Sequence, residues 1–85
     1  ELSQNYPNPF NPTTKISYNL PFDGKVSLKI FDVSGKEVMS LTNEIKTAGY
    51  YETTVNGSNI SSGVYFYSLI VDGRQMGVKR MTLLK

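Results

Sequence analysis

The chain contains no cysteine and no histidine. Without cysteine there is no disulfide, no thiolate nucleophile and no zinc–sulfur centre. Without histidine there is no Ser-His-Asp triad and no imidazole ligand for a metal. The lack of cysteine is neutral about compartment, because extracellular domains can use disulfides without requiring them. No apolar run approaches the roughly 20 residues that a membrane-spanning helix needs. Glu1 is not followed by a basic and then apolar leader, so we expect a piece of a longer chain with no signal peptide of its own.

With 85 residues, 39% hydrophobic and 19% charged, the composition is that of one small folded domain, neither disordered nor membrane-embedded. Such a domain buries only somewhat over about 60% of its unfolded surface, so its core is small. The net charge of +2 is unevenly spread. Residues 1–73 carry five basic and seven acidic side chains. Residues 74–85 carry Arg74, Lys79, Arg80 and Lys85 and no acid. The C-terminal end is therefore the basic part of the molecule.

NYPNPFNPTT, residues 5–14, places three prolines within six residues, which excludes a helix or a central strand. Tyr6 and Phe10 sit inside this stretch, and a flexible linker would not need them. An ordered, irregular segment with both rings pinned to a core is expected. TKISYNL then alternates, with Ile16, Tyr18 and Leu20 on one face. KVSLKIFDV alternates again, with Val26, Leu28 and Ile30 inward, and Phe31 and Val33 suggest that its end is covered on both sides. Ser34-Gly35 marks a turn into KEVMSL, with Val38 facing inward, which reads as a hairpin. Residues 42–49 look irregular, and Tyr50 to Val55 is β-prone. NGSNISSG is a polar connection in which Ile60 plugs the core edge.

GVYFYSLIVDG is the most hydrophobic run and reads as a central strand, with Tyr65, Tyr67, Leu69 and Val71 toward the core. After an Asp72-Gly73 turn the chain returns as a last strand with Met76, Val78, Met81 and Leu83 as its apolar candidates. Alternation fails between Val78 and Met81, which fits a bulge. No window offers a helical stripe. Strands over 16–20, 26–31, 38–41, 50–55, 64–71 and 76–84, with a very short one around Leu2 and Ser3, indicate an all-β antiparallel sandwich or small barrel.

Little catalytic chemistry is present. Asp32, Ser34 and Glu37 only weakly imitate a calcium loop; a turn whose Asp bonds its own backbone is the simpler reading. The glycines are scattered at turns and make no phosphate loop. Turn acids on a small sandwich leave no cleft for a paired-carboxylate hydrolase. Tyr65 and Tyr67 fall in the most buried strand, so they read as core, while one of Tyr50 and Tyr51 must point outward. An enzyme is not expected, and four charges on one strand are too few for nucleic acid. The basic last strand has two readings: an edge guarded by charge, or a recognition strand whose Lys79, Arg80 and Lys85 meet an acidic surface.

NYPNPFNPTTKISYNL, SSGVYFYSL and KRMTLLK, in that order along the chain, closely resemble the C-terminal sorting domain of type IX (Por) secretion cargo of Bacteroidetes and relatives. The opening also resembles the immunoglobulin-like domain of the flagellar hook-capping protein. The resemblance implies an immunoglobulin-like antiparallel β-sandwich of about seven strands. It implies a single domain over residues 1–85 at the end of a longer secreted protein. It further implies passage from the periplasm through an outer-membrane translocon, served by shuttle or sortase components. Cleavage and attachment of the upstream cargo to the cell surface would follow. No cofactor or metal is implied. The family's first motif falls on Pro7, Asn8 and Pro9, its central one on Gly63 and Tyr65, and its terminal one on Lys79 and Lys85 around Leu83 and Leu84. Arg80 stands where a second lysine is common. A rigid proline turn lowers the entropic cost of recognition. Gly63 supplies backbone room or positive φ. Gly63 and Tyr65 read as structural, Lys79 and Lys85 as contacting. A passive spacer, a carbohydrate-contacting module or a hook-capping-like module is the alternative.

Overall fold

The computed structural model describes all 85 residues. Six strands follow one another: β1 Thr13–Leu20, β2 Gly24–Phe31, β3 Glu37–Lys46, β4 Gly49–Asn56, β5 Gly63–Val71 and β6 Arg74–Leu83. They form a two-stranded sheet, β1-β4, and a four-stranded sheet, β3-β2-β5-β6, with every neighbouring pair antiparallel. This is the B–E and C′–C–F–G arrangement of an immunoglobulin-type sandwich. The strands form where apolar residues recur at every second position, because that spacing puts one face of each strand toward the opposite sheet. Ile16, Tyr18 and Leu20 of β1 meet Val26, Leu28 and Ile30 of β2 and Tyr65, Tyr67, Leu69 and Val71 of β5 in one core. Ile60 packs against that core from its loop, as expected.

The sequence reading needs five corrections. First, β3 runs on to Lys46, through the stretch expected to be irregular. That stretch lacks alternation, and pairing with β2 from Gly24–Lys46 onward holds it extended. Second, the expected short strand at Leu2 and Ser3 is a set of backbone bridges to β1: Ser3 N–H donates to Ser17 C=O at 2.9 Å and Asn19 N–H to Glu1 C=O at 2.9 Å. Six strands are thus found where about seven were expected.

Third, the bulge in the last hairpin lies at Met76, between the Leu69–Gly77 and Ile70–Gln75 pairs. It sends Val78 outward and puts Gly77, Lys79, Met81 and Leu83 on the inner face. Fourth, Phe31 is only half-buried and Val33 is exposed, so the end of β2 is open on its outer side. Fifth, Tyr6 is 82% exposed while Phe10 is 2% exposed; of the two rings thought to be pinned, only the second enters the core.

Candidate functional site

An irregular proline segment cannot satisfy its backbone through a ladder, so side chains must do it. Asn5, which is buried, carries much of this work. Its Nδ2 donates to Pro7 C=O at 3.2 Å and to Thr14 Oγ1 at 3.1 Å, and Thr14 Oγ1 donates to Pro7 C=O at 2.8 Å. Tyr6 exchanges both backbone bonds with Lys15, at 3.0 Å each. The Tyr6 backbone is therefore fixed although its ring stands in solvent.

The same segment then crosses to β6. Gln4 Nε2 donates to Arg80 C=O at 2.7 Å. Thr82 N–H donates to Asn8 Oδ1 at 3.0 Å. Phe10 N–H donates to Thr82 C=O and Leu84 N–H to Phe10 C=O, both at 3.0 Å, which makes a parallel bridge between Phe10 and Leu83. Pro7, Pro9 and Asn8 are exposed on the turn thus anchored. On its other edge β6 pairs Leu83 with Gly63 and Met81 with Tyr65. All three sequence segments singled out above consequently meet at one end of the sandwich.

Within that end the residues divide into builders and displayed groups. Gly63 has φ of +150°, a conformation that L side chains rarely adopt, and open space where a Cβ would stand. Its requirement is the dihedral, not room. Tyr65 is buried and its hydroxyl donates to Ser61 C=O at 2.6 Å. That bond, from the start of β5 back to the preceding corner, has the form of the tyrosine corner of immunoglobulin-like sandwiches. Leu83 and Met81 are fully buried core, whereas Leu84 is 55% exposed. Arg80 and Lys85 are exposed, and Lys79 is half-buried on the inner face opposite Tyr67. Lys85 Nζ donates to Ser58 C=O at 2.9 Å and its backbone N–H to Ser62 Oγ at 3.1 Å.

The ion pairs lie elsewhere: Lys15–Glu52, Lys29–Glu37 and Lys46–Glu44. Arg74, Lys79, Arg80 and Lys85 thus have no carboxylate partner, and Arg80 and Lys85 leave this end with unneutralised positive charge.

Sequence reasoning missed Gln4, Asn5, Thr14, Thr82 and Gly57. Gly57 N–H donates to Pro12 C=O at 2.7 Å, and a Cβ there would come within 2.9 Å of Leu83 Cδ2. The available signal was that an ordered proline segment must find polar side chains nearby to bond its carbonyls.

Elsewhere, Asp32 forms the expected self-bonded turn. Its Oδ1 accepts from Ser34 Oγ at 2.6 Å, Ser34 N–H at 2.9 Å and Lys36 N–H at 3.0 Å. The Ser34 hydroxyl first, then the Lys36 N–H, hold its carboxyl below the usual carboxylate range. Burial pushes the Tyr67 phenol up to about 12, and its hydroxyl donates to Ser3 C=O at 2.7 Å. Tyr50 points out, and Tyr51 stacks on Tyr18 with centroids 5.5 Å apart.

Two sheets in this order, a corner tyrosine on the fifth strand and an N-terminal segment that bridges from β1 to β6 define an immunoglobulin-like β-sandwich module. Solved structures share that fold. A segment of PorZ, a surface component of the type-IX secretion system of Porphyromonas gingivalis, superposes with a TM-score of 0.67 at 23% identity, covering 96% of this chain and 11% of that one. An immunoglobulin-like protein of Pseudomonas aeruginosa gives 0.58 at 9% identity over 85% of this chain and 71% of its own. The hook-capping protein FlgD of Pseudomonas aeruginosa gives 0.57 at 23% identity over 82% and 59%. Comparison with curated proteins gave no match. The family model for the secretion system C-terminal sorting domain matches residues 4–82, and the chain belongs to that family.

Proposed function

We propose that this domain is a non-catalytic signal that directs an upstream cargo domain of the same polypeptide from the periplasm through the type IX outer-membrane translocon. Shuttle and sortase components read the folded module; removal of the module and attachment of the cargo to the cell surface follow. The domain needs no cofactor and contacts no nucleic acid. Family membership and the likeness to part of PorZ support the route.

The observation that carries the reading is the closure of the Pro7–Pro9 turn onto β6, which sets Asn8, Pro9, Arg80, Leu84 and Lys85 at one end. A preformed surface of this kind spends little ordering entropy on binding. Gly63 and Tyr65 act by holding that end together, and Leu83 acts from the core. Exposed Tyr6 and Tyr50 favour a second reading, a carbohydrate-contacting accessory module.

The test fuses residues 1–85 to a periplasmic reporter in a host that has the translocon. Deleting residues 79–85 would remove Met81 and Leu83 and unfold the domain, so the informative variant is Arg80→Glu with Lys85→Glu, checked for an unchanged urea midpoint. Export of the parent fusion and periplasmic retention of the variant are expected. Retention of the parent, or normal export of the folded variant, contradicts the proposal.

A further inference from the structure

We infer that the open part of the β6 edge, from Val78 to Arg80, docks an acidic extended segment of a partner protein as an added strand. The inference deepens the sorting reading and rests on it. Thr82 turns its N–H and C=O away from β5, toward Asn8 and Phe10. Backbone direction alternates along an antiparallel strand, and the β5–β6 register is unbroken from Gly77 to Leu83. Val78 and Arg80 therefore also turn their N–H and C=O groups to the edge. Gln4 takes the Arg80 carbonyl. The Val78 N–H, the Val78 C=O and the Arg80 N–H are left without a protein partner. Phe10 and Asn8 occupy the edge beyond Arg80, so an incoming strand has a fixed stop and a fixed register. An edge left open in this way is the ordinary template for strand addition.

The side chains beside this gap specify the partner's chemistry. On the outer face, Val78 is 51% and Phe66 37% exposed, with Phe31 paired beside Phe66 and Arg80 on its other side. Lys79 and Arg80 line the gap, and Arg74 lies further back on the same strand, all with no carboxylate within ion-pair distance. The nearest acid in sequence, Asp72, gives one carboxylate oxygen to the Lys25 N–H at 2.9 Å. An added strand with glutamate or aspartate at alternate positions would set its acids on the outer face beside Arg80, whereas a basic strand would be repelled.

The test uses the isotope-labelled domain and a short peptide of alternating glutamate and valine, with a lysine–valine peptide and phosphatidylglycerol vesicles as comparison probes. The acidic peptide is expected to shift the Val78 and Arg80 amide resonances and to slow their hydrogen exchange at least about tenfold. Arg80→Glu is expected to weaken binding at least about tenfold. Val78→Pro removes an edge N–H that serves no ladder bond, and is expected to abolish binding while the folded spectrum is retained. No binding, equal binding of the basic peptide, or binding that survives Val78→Pro overturns strand addition. Binding of vesicles without the acidic peptide overturns it in favour of a lipid surface. If the peptide fails while the reporter fusion is still exported, strand addition falls and the sorting reading stands. If the peptide binds while the fusion is retained in the periplasm, the sorting reading falls.

Discussion

Along one long side of the sandwich, residues 1–12 run first beside β1 and then beside β6, with backbone bonds to both. Along the other side, β3 and β4 have no such segment. There Lys46 reaches over the Tyr51 ring at 4.5 Å and pairs with Glu44 at 3.1 Å, so a long side chain covers the opening. Burial follows the difference. Leu2, Asn5 and Phe10 of the bridging segment are buried, and so are Met81 and Leu83 of β6. No residue of β3 is buried and only Val55 of β4 is. One small sandwich thus closes its two sides by different means. A backbone seal is rigid and creates a surface of defined shape, whereas a side-chain cover creates none. The sealed side is where the functional reading places recognition.

Substitutions on the two sides should separate sharply. Phe10→Ala is expected to cost about 3–5 kcal/mol in urea unfolding, because it empties a buried aromatic site and frees the seal. Loss of only about 1 kcal/mol would mean that the segment is not part of the core. Asn5→Ala removes a buried amide that bonds Pro7 C=O and Thr14, and is expected to cost about 1–3 kcal/mol.

The seal also carries a pH signature. Tyr67 bonds Ser3 C=O, and its folded pKa of about 12 lies above the ordinary tyrosine value of about 10. The unfolded chain therefore loses this proton first. Stability is fully present below about pH 10 and falls as pH rises toward 12. Tyr67→Phe is expected to flatten that decline, with a residual slope from Tyr18, whose pKa burial also raises. On the open side, Ile45→Ser is expected to change stability by no more than about 0.5 kcal/mol, because Ile45 is 79% exposed.

Much of this architecture was legible in the sequence. The alternation of Ile16, Tyr18 and Leu20, of Val26, Leu28 and Ile30, and of Tyr65 through Val71 marks three strands and their inner faces, because two-residue periodicity is a direct imprint of the pleat. The outer half of β3 was not legible. Thr42 to Lys46 carries no apolar alternation and is extended only because β2 lies beside it. Nor was the inner face of β6, where the Met76 bulge turns Lys79 inward and Val78 outward; on an edge strand a lysine can leave the inner face around the rim, so composition does not mark it.

The site was legible as three segments and not as one place. Their meeting depends on Gln4 and Asn8 side chains that bond β6 backbone groups more than seventy residues away, while Asn5 and Thr14 fix the Pro7 carbonyl within the turn, and such bonds leave no periodic trace. The proline stretch was recognisable as ordered because it holds large apolar residues, yet only the fold shows that Phe10 is buried and Tyr6 is not.

Native-state hydrogen exchange along β6 tests the two-part edge most directly. The Thr82 and Leu84 amides, sealed by Asn8 and Phe10, should be protected, and Val78 and Arg80 should exchange at least about tenfold faster. Uniform protection from Val78 to Leu84, or Thr82 and Leu84 exchanging as fast as Val78, would contradict a sealed turn beside an open recognition edge.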